Sequence, residues 1–161
     1  MVIVVMGAAG AGKTTLGREL ARVLGWTFIE ADDLHDSAAI DRMKRGIPLT
    51  DQDRWPWLAR VRDAIASAHH AGHDVVAACS ALKDEYRRVL AEGVGPIAFV
   101  YLDASAALLH DRLAHRPGHF MPESLVESQL ATLEPPPDAV RVDAALPTAA
   151  QIAAVRTTLG L

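Results

Sequence analysis

The sequence predicts an α/β domain, a five-stranded parallel sheet flanked by helices on both faces. Three observations carry that reading. Short, fully apolar runs alternate with helical apolar patterns along the chain, as expected for strands buried on both faces and joined by helical crossovers. A glycine-rich turn stands between the first such run and the first helical pattern. Later runs end in Asp or are followed by Ser, which places polar groups at the carboxyl edge of the sheet, where open α/β proteins gather ligands.

The first strand is Val2 to Met6. It leads through Gly7-Ala8-Ala9-Gly10-Ala11-Gly12-Lys13-Thr14 into a helix ending near Leu24. The spacing Gly7, four residues, Gly12-Lys13-Thr14 is that of a phosphate-binding loop. Gly7, Gly10 and Gly12 allow backbone dihedrals that a Cβ would forbid, so that N–H groups can turn toward an anion. The helix adds the positive end of its dipole, Lys13 reaches β and γ phosphates, and the Thr14 hydroxyl is placed to ligate Mg²⁺.

Trp26 to Glu30 alternates as a second strand and ends at Asp32-Asp33; a short helix from Ser37 to about Arg45 follows, closed by Gly46. Ile47 to Arg54 reads as a charged loop. From Arg54 to Ala71 the pattern is helical, with Trp57, Leu58, Val61 and Ile65 on one apolar face and Pro56 in a first turn starting near Asp53. That spacing assigns Trp57 to the core, and His69, His70 and His73 to a solvated helix end rather than a metal site.

Val75 to Cys79 is a third strand, with Cys79 a small core residue, and a helix spans about Asp84 to Glu92. Ile97 to Leu102 is a fourth strand ending at Asp103, and Ser105 caps the helix that runs through Leu113. The basic turn Arg112 to Phe120 suits a mobile lid over a polyphosphate, spanning about 112–122. Pro122 opens a helix to about Leu133, Val140 to Val142 is a fifth strand, and Thr148 with Gln151 forms a capping-box pattern for the last helix.

At 161 residues the chain suits a single domain, 1–161, that buries about 70% of its unfolded surface. One cysteine leaves no internal disulfide and fits a reducing compartment. No export leader or membrane span is expected, and a net charge of -4 argues against a nucleic-acid partner. Any positive charge that meets an anionic ligand must therefore be local.

A phosphate loop specifies a nucleotide but not a reaction. The informative set lies at the other strand ends and turns: Asp32, His35, Arg54 and Lys83. An Asp at the crevice can orient a hydroxyl or take its proton, while Arg and Lys can hold a carboxylate. Together they indicate phosphoryl transfer from ATP to a hydroxyl of an anionic small molecule. On these residues alone, another hydroxy acid such as shikimate, or a nucleotide-binding regulator without turnover, stays open.

Asp32-Asp33-Leu34-His35, Pro48-Leu49, Asp53-Arg54, Pro56-Trp57-Leu58, Cys79-Ser80-Ala81-Leu82-Lys83 with Tyr86-Arg87, and Gly118-His119-Phe120 after Arg112 and Arg116 form a wider pattern. Across nearly the whole chain it resembles the gluconate kinase (gluconokinase) family. The resemblance implies a compact P-loop kinase fold with a lid, and ATP- and Mg²⁺-dependent phosphorylation of D-gluconate at its terminal hydroxyl in a cytoplasmic, commonly homodimeric enzyme. Carried over by position, Gly7, Gly10, Ala11, Gly12, Lys13, Thr14 and Thr15 hold the nucleotide. Asp32 serves the substrate hydroxyl, and His35, Arg54, Lys83 and Arg87 bind gluconate. Arg112 and Arg116 belong to the lid, stacking on adenine or neutralising phosphate. Glu30-Ala31 departs from the family's usual Asp-Gly at that place, which bears on contacts to the metal's water shell.

Overall fold

The computed structural model describes residues 1–115 and 123–161. Its strands are β1 (Val2–Met6), β2 (Thr27–Glu30), β3 (Val75–Ala78), β4 (Ile97–Asp103) and β5 (Val140–Asp143). They form one sheet in the order β2-β3-β1-β4-β5, and every pairing is parallel. The helices are α1 (Lys13–Leu24), α2 (Ser37–Lys44), α3 (Asp51–His70), α4 (Asp84–Ala91), α5 (Ala106–Ala114), α6 (Glu123–Thr132) and α7 (Thr148–Leu159).

Strand alternation divides the apolar residues into two cores. Val2, Val4 and Met6 of β1 face Trp57, Leu58, Val61 and Ile65 of α3 and Tyr86 and Leu90 of α4. Ile3 and Val5 face the opposite layer, with Leu16 and Leu20 of α1, Leu109 of α5 and Val155 of α7. All five residues of β1 are buried, which is why its sequence is continuously apolar rather than alternating. The chain moves toward β2 after β1 and back across β1 toward β4 after β3. The connections that leave those two neighbouring strands therefore run in opposite directions, and a crevice opens beyond their carboxyl ends.

Three local readings are corrected. The charged stretch before Arg54 is not all loop, because α3 begins at Asp51. Thr50 caps it by accepting the Asp53 N–H, while the Asp53 carboxylate accepts the Thr50 N–H, a reciprocal box that fixes the first turn. Pro56 consequently lies inside the helix rather than at its opening.

Thr148 and Gln151 form no such box. Pro147 occupies the cap position without a side-chain bond, and Gln151 turns inward. Cys79 lies just past β3, and burial pushes its thiol pKa up to about 12, as befits a small core side chain. The lid readings from Arg116 to Pro122 lie outside the described residues.

Candidate active site

The loop after β1 is shaped by close approach. Gly7 has φ 142°, and a Cβ there would stand 2.9 Å from the Leu102 carbonyl oxygen of the neighbouring strand. Its N–H donates to the Ser80 carbonyl at 3.3 Å, so Gly7 ties the loop to the segment after β3 and does not aim its own donor at an anion. Gly12 sits at the α1 cap with φ 101°, and no side chain caps that helix. The first-turn N–H groups are thus left for a ligand at the positive end of the dipole.

The Lys13 ammonium donates to the Ala8 carbonyl at 3.0 Å, and the Gln129 side chain of α6 accepts the Ala9 N–H at 2.7 Å. Arg112 of α5 donates to Ala11 O at 2.9 Å and Gly10 O at 3.4 Å, and through its other amino group to Ala144 O at 2.6 Å. Its guanidinium therefore braces the phosphate loop against the turn after β5.

The opposite wall rests on Trp57. Its indole N–H donates to the Ala31 carbonyl at 2.7 Å and its ring stacks on His35, with centroids 4.3 Å apart. Ala31 opens a 3₁₀ turn, Ala31–Leu34, that presents Asp32 to the crevice. Asp32 is 68% exposed, against 4% for the His35 side chain, so the carboxylate meets solvent while the imidazole is held in the wall.

Burial, with help from Arg54 and Arg60, holds the His35 pKa below its ordinary value, although Asp32, 3.9 Å away, pulls the other way. At neutral pH the ring is therefore uncharged. It can donate or accept a hydrogen bond from a hydroxyl, but it brings no charge to the site. Arg54 donates to the Leu49 carbonyl at 3.3 Å and lies over the Tyr86 ring, which directs its charge at the crevice from the first turn of α3.

The space between the walls is about 610 Å³ and is lined by Gly10, Ala11, Gly12, Lys13, Thr14, Thr15, Asp32, His35, Arg54 and Arg112. Lys44 of α2, which sequence reasoning missed, joins them. Four cationic side chains and one carboxylate thus face the crevice among the described residues, in a chain whose net charge is -4. Such a lining concentrates an anionic ligand.

Two expected substrate contacts stand elsewhere. Lys83 is not in the crevice lining; its ammonium spans both oxygens of Asp51 at 2.8 and 2.9 Å, and Asp51 also accepts the Tyr86 hydroxyl. Arg87 is buried and donates to the Ala81 and Leu82 carbonyls at 3.0 and 3.2 Å, so it shapes the turn after β3 instead of facing the crevice or solvent. Arg116 lies outside the described residues.

Glu30, at the end of β2, is a further residue that the motif reading did not assign. Burial raises its pKa, opposed by the Thr14 hydroxyl beside it and by the Lys13 charge, and its Oε2 is buried without a hydrogen-bond partner. A carboxylate oxygen left over beside the loop threonine suits a hard divalent cation, so the glutamate fits the place that the Asp-Gly pattern led one to question. Among the described residues no cluster of three His, Cys, Asp or Glu side chains forms a cage.

A phosphate loop at a sheet switch point, facing a carboxylate and a row of cations, defines a P-loop kinase that acts on a small molecule. A family described as an AAA domain matches residues 2–136. A gluconokinase of Gluconobacter oxydans (strain 621H) is 53% identical over 136 residues, covering 84% of this chain and 76% of that protein. Among solved structures, an unliganded sugar kinase from Janibacter sp. HTCC2649 superposes with a TM-score of 0.93 at 44% identity, covering 99% of this chain and 94% of the other. A gluconokinase from Sinorhizobium meliloti 1021 does so with a TM-score of 0.89 at 46% identity, covering 99% and 91%. The chain belongs to the gluconokinase family.

Proposed function

We propose that the chain catalyses transfer of the terminal phosphoryl group of ATP to the 6-hydroxyl of D-gluconate, giving 6-phospho-D-gluconate and ADP. The observation that carries this reading is the shared crevice: the phosphate loop and Asp32 line one space, with Arg54 and Lys44 beside them to meet a carboxylate. Shikimate or a silent regulatory role is not favoured, because gluconokinases match most of the chain.

In this reading Gly10, Ala11, Gly12, Lys13, Thr14 and Thr15 hold the triphosphate, with Gly7 shaping their loop. Asp32 orients the acceptor hydroxyl and takes its proton as the bond to phosphorus forms, and Arg54 and His35 fix the remainder of the sugar acid. Arg112 stiffens the loop so that its donors keep their aim. Lys83 contributes through Asp51, which anchors the first turn of α3 from which Arg54 projects. Mg²⁺ would be held by the Thr14 hydroxyl and the Glu30 carboxylate, and would neutralise charge on the transferred group.

Transfer of a phosphoryl group asks little covalent chemistry of the protein, so positioning dominates. Alignment of two bound reactants is worth about 7–11 kcal/mol of barrier. Arg112 belongs to α5 and not to a lid; a lid that begins after that helix and bears Arg116 would supply the final exclusion of water. Family membership also supports a cytoplasmic homodimer. No helix among the described residues is long and apolar enough to cross a membrane.

The test is ADP release with Mg-ATP across a panel of sugar acids, with the Lys13→Ala variant as blank. Gluconate should be the preferred acceptor by at least about tenfold in kcat/KM, an interval of about 1.4 kcal/mol, near the net worth of one hydrogen bond. Faster turnover of shikimate or of a nucleoside monophosphate would overturn the assignment.

A further inference from the structure

One peptide group of the phosphate loop, between Ala8 and Ala9, is gripped at both ends. Its carbonyl accepts the Lys13 ammonium at 3.0 Å, and its N–H donates to the Gln129 Oε1 at 2.7 Å, across 120 residues of sequence. Both gripping side chains line the crevice. Since a backbone N–H can only donate, the glutamine must present its oxygen here; its assignment is dictated by chemistry. Gln129 is itself carried on a well-anchored helix: Leu125 and Val126 of α6 are buried at 3% and 0% exposure.

Lys13 is the side chain that reaches the β and γ phosphates in a loop of this type. The peptide it grips therefore lies at the end of the cradle that receives the donor's terminal phosphate. The carboxamide oxygen bonded to that N–H is a weaker acceptor than a phosphoryl oxygen, because hydrogen bonds to an ionised oxygen are about twice as strong as neutral ones.

We propose that Gln129 is a placeholder for the terminal phosphate, a positioning residue that a nucleoside triphosphate displaces from the loop and a diphosphate does not. It keeps the Ala9 N–H satisfied and the loop in shape while the crevice is open. The γ-phosphate takes over that N–H and displaces the carboxamide, whereas ADP, which lacks the γ-phosphate, leaves Gln129 in place. Displacement is felt along α6, so arrival of a competent donor is reported to the helix that packs beside α5 and its Arg112. This inference rests on the ATP-dependent reading above and adds to it a residue that acts on one nucleotide and not the other.

The experiment compares Kd for a non-hydrolysable ATP analogue and for ADP, by titration calorimetry with Mg²⁺, in the wild type, Gln129→Glu and Gln129→Met. Glutamate keeps the shape but grips the N–H with a charged oxygen and repels phosphate. It should weaken the analogue at least about tenfold and ADP less than about threefold. Methionine removes the placeholder and should leave the analogue bound as tightly as in the wild type or a few-fold tighter, with ADP unchanged.

The ratio of two affinities on one preparation does not depend on its folded fraction, so a partly folded variant still gives an answer. Equal loss for both nucleotides in either variant would mean that Gln129 is only a strut between α6 and the loop. Selective loss of the analogue in Gln129→Met would make it a direct ligand, and an unchanged analogue Kd in Gln129→Glu would remove it from the site. Each of these overturns the proposal while leaving the kinase reading intact. A wild type that binds neither nucleotide would sink both.

Discussion

The two walls of the crevice are made of different material. The donor wall is backbone: a glycine loop and a helix end whose N–H groups need only the right dihedrals, over eight consecutive residues. The acceptor wall is side chain: Asp32 and His35 come from the turn after β2 and Arg54 from α3. Trp57 locks them together through one hydrogen bond and one ring stack. A backbone site is encoded where it stands, while a side-chain site has to be assembled from segments that share only the folded state. The first should tolerate changes elsewhere in the chain, and the second should be sensitive to its supports.

The sharpest test of that division is the pair Lys13→Ala and Asp32→Asn. Lys13→Ala removes charge stabilisation of the transferred group and should cost about 10³-fold or more in kcat/KM for both substrates. Asp32→Asn should lower kcat by about 10²–10⁴-fold, with ATP affinity by calorimetry within about twofold of wild type. If the Asp32 variant lost nucleotide affinity in step with turnover, the two walls would not be separate.

Next in size is Trp57→Phe. It keeps the ring near His35 but strands the buried Ala31 carbonyl, at a stability cost of about 1–3 kcal/mol. KM for gluconate should rise several-fold while KM for ATP holds; parallel rises in both would show the wall to be one mechanical unit with the loop.

Smaller again is the linkage of Lys83 to Asp51. Lys83→Met and Asp51→Asn should each raise KM for gluconate by a few-fold, and the double variant should be no worse than either alone, because partners in one ion pair are not additive. Additive losses would instead place Lys83 on the substrate itself.

The mildest effect is on pH. The His35 pKa is lowered from 6.5, so the folded state binds fewer protons than the unfolded chain between the folded value and 6.5. That contribution is fully present above about pH 6.5 and is lost as pH falls toward the folded value. Thermal melts of the free enzyme should therefore show Tm falling as pH drops below 6.5, with a shallower slope in His35→Asn. An unchanged slope would mean that the ring titrates as it does in the unfolded chain.

Much of this layout was legible in the sequence. The five apolar runs became the five strands, and Ser105 caps α5 as its position suggested, accepting the Leu108 N–H at 3.2 Å. Errors gathered where a local signal competes with a tertiary one. Thr148 and Gln151 have the spacing of a cap, but the Gln151 carboxamide donates to the Ala144 and Leu146 carbonyls of the preceding turn and is buried there.

The start of α3 was set too late because Pro56 resembles a first-turn proline. The reciprocal Thr50 and Asp53 bonds move that start two residues back, to Asp51, and the helix accommodates the proline inside. Lys83 and Arg87 had the right charge in the right block of sequence, yet charge alone does not say which anion or carbonyl a side chain will meet. Asp51 lies 32 residues from Lys83. Gln129 carried no signal at all, since a lone glutamine in a helix is ordinarily solvated.

The inward turn of Gln151 has a reach beyond its own helix. Its amide group donates to the carbonyls of Asp143, Ala144 and Leu146 at 3.4, 3.2 and 3.0 Å, and Ala144 O is also where Arg112 ends its brace on the phosphate loop. Trimming the polypeptide ahead of its final dozen residues would therefore deprive that turn of its internal rivet. The fault would travel through a shared oxygen atom to the phosphate loop, whose crevice Gln151 also lines.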